Sequence, residues 1–261
     1  MDKQFLTQVT QRISGLAFGS MLAVSAIFLA VSPTVAIASA IENAVQAPIQ
    51  QELAPFVADY VAYRHGDDVG YARLELKSLS ANQYALTYRS RVSKFFLSDK
   101  RHEHSIFTLQ DNNIVPGDYF YERGGTGPDK SLNAKFDGNQ NAILIDGVKL
   151  KDWQGELDNQ LFRIDVPRQL MQGKTSMQYS FINYRGEPRE YKISVVANEQ
   201  LELPYGVLDS VKLKINRGSS SRETFAWFSP SLDYALVRLQ QFKDGKEQGD
   251  IKLKNFQRNP Q

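Results

Sequence analysis

Cysteine is absent from the 261 residues of this chain. The absence excludes disulfide bonds, catalysis by a cysteine nucleophile and a lipid-modified N-terminal cysteine, so we do not expect a lipoprotein. A domain without disulfides must take its stability from an apolar core, and a chain of this length can bury a core of sufficient size.

Histidine and excess charge are also scarce. The sequence has three histidines and a formal net charge of +2 at pH 7, which offers no electrostatic footprint for nucleic acid. A Gly-x-Ser-x-Gly nucleophile elbow is missing, and the glycine-rich stretch 124–128 lacks the lysine and serine that end a phosphate-binding loop. We therefore expect a non-catalytic protein with no cofactor and no nucleic-acid partner.

The first forty residues have the pattern of a secretory signal peptide. A short charged start precedes an uncharged run at 13–31, and the small-residue triplet 38–40 ends the segment. The pattern predicts a signal peptide over 1–40, cleaved after this triplet or after the similar triplet 36–38. The mature protein is therefore expected in the periplasm.

An uncleaved membrane anchor is the alternative interpretation of the same segment. The run at 13–31 is close to the length of about 20 residues that a spanning helix needs. Glycine and serine residues dilute it, however, and Pro33 breaks a helix before the cleavage triplet. Cleavage is favoured, and contact with the membrane is then only transient.

Apolar and polar residues alternate along most of the remaining chain. Ala72, Leu74 and Leu76 are separated by single charged residues, and Asp-Gly pairs at 137–138 and 146–147 mark turns. Short strands about ten residues apart, with turn residues between them, are typical of antiparallel sheets and barrels. We predict a mainly β protein whose antiparallel strands form a curved sheet, a half-barrel or a barrel.

The same pattern predicts the domain organisation. A small and polar segment with two prolines suggests a flexible leader at 41–55. A single β-rich domain follows at 56–256, and residues 257–261 form a tail.

One segment departs from the strand pattern. Residues 157–172 place apolar side chains at helical spacing, with Asp158 as a possible N-cap and Gly173 as a stop. Pro167 should end or kink a helix near Val166. We predict one or two short helices near 157–172.

Two stretches in the C-terminal third carry a family resemblance. Residues 202–214 are ELPYGVLDSVKLK and residues 223–234 are ETFAWFSPSLDY. Together with Val69-Gly70 and the segment 113–116, they resemble the DUF3108 family of exported bacterial proteins over about 56–256. Many members have proline just before the last long strand, where this chain has Ala235.

This resemblance implies an exported domain of unknown function and brings no catalytic residue to carry over. Its recurring positions are of turn and core types. Trp227 and Phe228 of the second stretch are expected to fill the core, because such rings bury a large apolar area.

His102 and His104 are the candidate metal ligands, because residues two apart on a strand point to the same face. Zinc needs three or four protein ligands, and no third ligand can be named from the sequence. The alternative is an exposed strand beside Asp99, Lys100 and Arg101. We therefore expect no metal site.

Acidic residues near aromatic ones raise the possibility of a glycan-acting hydrolase, which needs two carboxylates about 5–10 Å apart. The candidates are Asp59, Asp118, Glu122 and Asp165. A chain with 29 acidic residues has such neighbours by chance, so this function ranks third.

Tyr119, Tyr121 and Trp153 are the candidate ligand-binding residues, since they could line a groove for a sugar or a lipid. Strand alternation places the two tyrosines on one face and Phe120 on the other. The alternative puts Phe120 in the core and the tyrosines on the outer surface of the sheet.

These observations favour a binding or carrier module that holds an amphipathic envelope ligand on the concave face of a curved sheet. The second hypothesis is an envelope assembly or interaction protein that acts through a sheet edge or through loops. The expected partners are a lipid, a glycan or an envelope protein. The oligomeric state is not predicted.

Overall fold

The computed structural model describes residues 52–219 and 221–260, and Ile49–Gln261 forms a compact unit. The expected signal peptide lies outside the described residues, as does the expected leader as far as Gln51. Within the described ranges, no helix combines the length and the apolarity that a membrane crossing requires.

The described residues form fourteen strands, one α-helix and one short 3₁₀ turn. The strands are β1 Phe56–Arg64, β2 Asp67–Ser80, β3 Gln83–Lys94, β4 Leu97–Gln110, β5 Asn113–Gly125, β6 Lys130–Asp137, β7 Ala142–Ile145, β8 Val148–Asp152, β9 Ser176–Ile182, β10 Pro188–Leu203, β11 Gly206–Asn216, β12 Arg222–Ser229, β13 Ala235–Lys243 and β14 Lys246–Arg258. The helix, α1, is Phe162–Met171, and the 3₁₀ turn is Pro230–Leu232.

All fourteen strands belong to one antiparallel sheet. Its order is β8-β7-β6-β5-β4-β3-β2-β1-β14-β13-β12-β11-β10-β9. The first and last strands therefore lie side by side in the middle of the sheet, where Tyr60 pairs with Leu253. Every strand also neighbours the next one along the chain, except that β8 and β9 lie at opposite edges of the sheet. The prediction of a curved antiparallel sheet with few helices is confirmed.

The two edges of the sheet are joined by a single parallel bridge between Leu157 and Phe181. Leu157 follows β8, and its N–H donates to the Ser180 carbonyl of β9 at 3.0 Å. No continuous ladder connects β8 with β9 among the described residues, so the sheet is not closed into a barrel.

Side chains fill the gap between these edges. Ile182 of β9 belongs to the same buried apolar cluster as Leu132 and Ile143 of β6 and β7. The rings of Tyr121 and Tyr184 lie 5.0 Å apart across the gap. We call this group the seam cluster, because it holds together edges that backbone hydrogen bonds leave almost unpaired.

The helix begins later than the sequence predicted. Its first residue is Phe162, whereas the expected cap, Asp158, lies in the preceding turn. There the Asp158 carboxylate accepts the N–H groups of Gln160 and Leu161 at 2.9 and 3.1 Å. Pro167 lies inside the single helix rather than at its end.

The helix fills the concave face of the sheet. Ile164 packs in the main apolar cluster with Leu76 and Leu86, whereas Val166 and Leu170 join a second cluster formed with β9 to β12. Each fully buried apolar side chain of this size contributes about 1.5–3 kcal/mol. The core of the domain therefore lies between α1 and the inner face of the sheet.

Arg168 ties the helix to the turn between β4 and β5. Its side chain is only 4% exposed and donates to Asp165 at 2.9 Å. It also donates to the carbonyl and the side-chain oxygen of Asn112, at 2.5 and 2.6 Å. The buried charge is thus paired and hydrogen-bonded, as a stable buried guanidinium requires.

We expect Arg168→Ala to lower the free energy of unfolding by about 3 kcal/mol, because it leaves buried partners without their donor. Arg73→Ala is the control, since it breaks a solvent-exposed ion pair with Asp59 and should cost less than about 1 kcal/mol. Urea unfolding of both variants measures the difference. Equal losses would show that Arg168 contributes no more than a surface charge.

Asp158 makes stability depend on pH. Burial raises the pKa of Asp158 to about 7, against the lowering effect of hydrogen bonds from Ser105 and from the backbone of Gln160 and Leu161. The unfolded carboxyl has a pKa of about 3.9, so the folded state holds a proton that the unfolded state releases. This group's contribution to stability therefore decreases as pH rises from about 4 to about 7.

Asp158→Asn mimics the protonated acid and should remove this pH dependence. We expect the variant to be more stable than the wild type above about pH 7, by on the order of 4 kcal/mol, and to differ little from it near pH 4. Asp244→Asn, at an exposed turn, is the control. Its free energy of unfolding should depend on pH in the same way as that of the wild type. Urea unfolding across this range tests the prediction, and parallel curves for Asp158→Asn and the wild type would contradict it.

Candidate functional site

A cavity of about 210 Å³ lies on the inner face of the sheet, beside the N-terminal turn of α1. Its wall combines strands from both halves of the chain with the helix. Most of this wall is apolar and includes Leu74, Val166, Ile215, Phe228, Leu239 and Ile251. The cavity therefore offers an apolar environment to a ligand.

Strand register places the polar part of the wall. Leu74 of β2 lies opposite Tyr88 of β3, which in turn lies opposite Glu103 of β4. Residues that are directly opposite each other point to the same face of a sheet. All three line the cavity, which thus acquires a hydroxyl and a carboxylate beside its apolar side chains.

Arg163 enters the cavity from the helix. Its guanidinium lies 5.0 Å from the ring centre of Tyr88 and 3.7 Å from a carboxylate oxygen of Glu103. Glu103 also accepts hydrogen bonds from Tyr119 at 2.7 Å and from Asn159 at 2.5 Å. Three groups therefore share the single Glu103 carboxylate, and Arg163 has the longest contact with it.

Arg217 enters the same cavity directly after β11. Its Nε is buried without a hydrogen-bond partner, and among the described residues its side chain has no ion pair. The guanidinium lies 5.1 Å from the ring centre of Tyr191. Burial lowers the pKa of Arg217, and the positive charges of Arg163 and Arg222 lower it further, against a raising effect from Tyr191.

A third guanidinium, Arg101 of β4, also lines the cavity. Asp99 holds it at 2.8 Å and raises the pKa of Arg101, although burial acts in the opposite direction. Among the described lining residues, three arginines thus face one carboxylate, Glu103. The cavity is apolar in its wall and positive in its charge.

A second cavity of about 290 Å³ adjoins the first. Tyr60, Leu74, Arg163 and Leu236 line both cavities and form a shared wall between them. The Tyr60 hydroxyl donates to the Leu236 carbonyl at 2.9 Å. The second cavity reaches Leu53, which packs on the main apolar cluster within the segment expected to be a flexible leader.

The candidate ligand-binding residues lie together, but in the seam cluster rather than in either of these two cavities. Tyr119 and Tyr121 are 1% and 3% exposed, and Trp153 packs against the same cluster. Trp153 donates to the Glu156 carbonyl at 2.9 Å. The two tyrosines share a face as expected, and this face is the inner one, so the alternative with outward tyrosines and a core Phe120 is wrong. Ligand contact by these residues stays a prediction.

His102 and His104 share the opposite, outer face of β4. Nδ1 of His104 lies 2.9 Å from the Thr87 hydroxyl, and the His102 ring packs edge-on against Phe120. Burial lowers the pKa of both imidazoles, and the charge of Arg89 adds to this effect. Among the described residues, no group of three potential ligands surrounds a metal position.

The four candidate carboxylates have separate surroundings. Asp59 pairs with Arg73, and Asp165 accepts hydrogen bonds within and beside the helix. Asp118 and Glu122 lie four residues apart on β5, which spans about 13 Å along a strand. That spacing exceeds the separation of about 5–10 Å that glycoside hydrolysis requires.

Trp227 and Phe228 are buried, as the sequence predicted. The Trp227 indole donates to Glu199 at 2.8 Å, and its ring packs between the cationic groups of Lys212 and Arg238. Phe228 contributes to the wall of the first cavity.

No pattern in the sequence pointed to Arg163 or Arg217. Both are single arginines in a chain with 31 basic residues, and neither belongs to a recognisable motif. Only the long-range packing of the helix against β11 and the sheet brings them to one cavity.

No protein-family model matches the chain, and no curated protein matches it. The resemblance to DUF3108 therefore stays a prediction. Solved structures do show similarity. One is a beta-barrel-like protein of the domain of unknown function DUF1849 from Brucella abortus, with a TM-score of 0.54 and 10% identity over 80% of this chain and 99% of that chain.

Two further structures are more distant. A protein from Bacteroides fragilis, described as exported and with a YmcC-like fold, has a TM-score of 0.29 and 9% identity over 79% of this chain and 97% of its own. A protein from Parabacteroides distasonis, described as a lipoprotein, has a TM-score of 0.30 and 11% identity over 80% of this chain and 96% of its own. The chain is thus similar in fold to the DUF1849 protein.

Proposed function

We propose that this chain is a non-catalytic binding or carrier protein for an amphipathic molecule with an anionic head group. The observation that carries the proposal is Arg217, a half-buried guanidinium that faces an apolar cavity and has no ion pair in the described part of the chain. Arg163 lies in the same cavity and has only a long contact with Glu103.

An anion would satisfy these groups. Guanidinium groups bind carboxylates and phosphates through two parallel hydrogen bonds, and such charge-assisted bonds are stronger than neutral ones. A partly buried guanidinium without a counter-charge costs free energy in the empty protein. Binding of an anionic head group offsets this cost, so the site favours an anion over a neutral molecule.

The remaining wall suits an apolar chain. The two adjoining cavities measure about 210 and 290 Å³, and together they fall within the range of about 300–1,000 Å³ typical of small-molecule sites. A ligand with its head at Arg217 can extend along Tyr60 and Leu74 toward the second cavity. A single-chain lipid or a fatty acid has this amphipathic character.

The signal-peptide pattern at 1–40 supports a periplasmic location for this activity. In that compartment, amphipathic molecules such as lipids must pass between two membranes through water. A protein that covers the apolar part of such a molecule lowers the free-energy cost of its exposure.

The proposal is tested with a fluorescent fatty acid and a fluorescent fatty alcohol of equal chain length. We expect Arg217→Gln to weaken binding of the acid about tenfold, because one charge-assisted contact is lost, and to leave binding of the alcohol unchanged. Ala226→Leu narrows the cavity and should weaken both probes. Equilibrium titration of the compact unit from Ile49 onward measures each affinity.

Arg64→Gln provides the matched control, because Arg64 is an exposed arginine outside both cavities. Equal affinity of the acid for the wild type and for Arg217→Gln would contradict the head-group site. Failure of both probes, together with a ligand-free native mass spectrum of protein purified from the periplasm, would contradict the carrier function.

A second candidate function rests on the edge strand β8. Val148 and Leu150 are 72% and 41% exposed on this strand, and an exposed edge can pair with a strand of another protein. An envelope interaction protein would then capture one dominant partner when a photo-crosslinker replaces Lys149 in intact cells. Capture of no partner would contradict this candidate.

A further inference from the structure

The tip of the β3–β4 hairpin carries the most exposed large hydrophobic side chains of the described residues. Phe95 and Phe96 are each 89% exposed, and the adjacent Leu97 is 57% exposed. Lys94 pairs with Leu97 in the ladder, so the two phenylalanines alone form the turn. Neither ring packs against another aromatic ring among the described residues. The core therefore gains almost nothing from these side chains.

The backbone of this turn opposes the presence of phenylalanine. Phe95 has a φ of +55°, a region that glycine, asparagine and aspartate occupy more easily than bulky residues. At the same turn position, the β4–β5, β7–β8 and β13–β14 hairpins have aspartate, as Asp111, Asp146 and Asp244. Two-residue turns rarely need apolar residues for folding. Local stability thus explains neither the residue type nor its exposure.

We infer that this hairpin tip inserts into the surface of a lipid bilayer. Two aromatic rings and a leucine on a narrow projection can enter the boundary between head groups and acyl chains. There they leave water at little cost to the backbone, because the turn itself remains at the level of the polar head groups. The partner is a membrane rather than a protein groove, because the basic residues described next form a band behind the tip.

Basic residues lie directly behind the apolar tip. The segment 89–101 contains five basic residues and one acidic residue, although the whole chain has a formal net charge of only +2. Two of the five are neutralised, because Lys94 pairs with Asp67 and Arg101 with Asp99. Arg91 and Lys100 lie opposite each other on the two strands, and both are exposed without an ion pair among the described residues. Such residues attract the phosphate groups of anionic lipids.

An exposed aromatic residue completes this band. Tyr71 of β2 is 54% exposed and lies opposite Arg91. Tyrosine favours the interface between water and a bilayer, because its ring is apolar and its hydroxyl is polar. The order from the tip inward is therefore apolar, then basic and aromatic, as at a membrane surface.

The tip is at the same end of the sheet as Arg217. The β1–β2 and β13–β14 turns share one end, because Tyr63 near the end of β1 pairs with Asp250 near the start of β14. Successive antiparallel strands place the β3–β4 and β11–β12 turns at this end as well. Arg217 follows β11 at its β11–β12 turn. The end of the sheet that would contact a membrane is thus the end that carries the Arg217 guanidinium of the cavity.

The test is flotation with vesicles made of equal parts of phosphatidylethanolamine and phosphatidylglycerol, and with vesicles of phosphatidylcholine alone. It uses the compact unit from Ile49 onward, which omits the apolar run at 13–31. We expect the wild type to float with the anionic vesicles. Phe95→Gly combined with Phe96→Ser should weaken vesicle binding by about tenfold or more, because the apolar area that enters the bilayer is lost.

This double variant should fold well, since Gly-Ser is a favoured hairpin turn. The matched control is Tyr205→Ser combined with Val207→Ser, which removes exposed apolar side chains at the β10–β11 turn, at the other end of the sheet. The control should bind vesicles like the wild type. Failure of the wild type to float, equal flotation of the tip variant, or equal loss in the control would each overturn the inference.

A fluorescence measurement gives a positive signal for insertion. We expect Phe96→Trp to emit at shorter wavelength when anionic vesicles are added and to be quenched by lipids with brominated acyl chains. The wild type corrects for Trp153 and Trp227. An unchanged Phe96→Trp spectrum would overturn the inference, and it would exclude the membrane in favour of a protein partner for the tip.

Charge reversal tests the contribution of the basic residues separately from that of the apolar tip. Arg91→Glu combined with Lys100→Glu should weaken binding to anionic vesicles about tenfold and should reduce its salt dependence. Equal binding by this variant would overturn the role of the basic band. Vesicle binding does not require an occupied cavity, so the flotation result and the fatty-acid titration can fail independently.

Discussion

The pairing of β1 with β14 determines the rest of the structure. It joins the strands of the N-terminal half, β1 to β8, and those of the C-terminal half, β9 to β14, into one sheet. Without this pair the two halves would be separate sheets, and β1 and β14 would each be an open edge. The concave face that receives α1 exists only because the joined sheet is wide enough to curl around a helix.

The cavity depends on the same pair. Its wall takes Leu74, Tyr88 and Glu103 from the N-terminal half, and Arg217, Phe228 and Leu239 from the C-terminal half. The helix contributes Arg163 to the same space. A change in the register of the central pair would therefore separate Arg217 from Tyr88 and Glu103, even if every hairpin remained intact. Site geometry in this protein is a property of the whole sheet.

Local patterns in the sequence predicted what depends on neighbours along the chain. Alternation at Ala72, Leu74 and Leu76 identified a strand and its buried face, and Gly173 with its φ of +77° ends the helix as expected. The same reasoning could not decide whether the sheet closes, because closure depends on register and curl, which no short segment determines. It also placed the helix start at Asp158, since a carboxylate that caps an isolated turn has the same sequence pattern as a helix cap.

The residues of the proposed ligand and membrane sites were missed for related reasons. Arg217 is distinctive because it has no ion pair within residues 52–219 and 221–260, and the sequence cannot show which charges a side chain fails to meet. Phe95 and Phe96 resemble core residues in composition, and only the turn between β3 and β4 shows that they face water. Local rules of sequence fail most clearly at these positions, as is common where a protein gives up stability for function.

The central position of the first and last strands also has a consequence for biogenesis. Tyr60 must meet Leu253, so the contact that unites the sheet spans almost the entire domain, and contacts of such high sequence separation form slowly. The hairpins can form as the chain emerges, but the concave face stays open until the final strand is available. The core therefore cannot be completed before the last strand, Lys246–Arg258, has been synthesised.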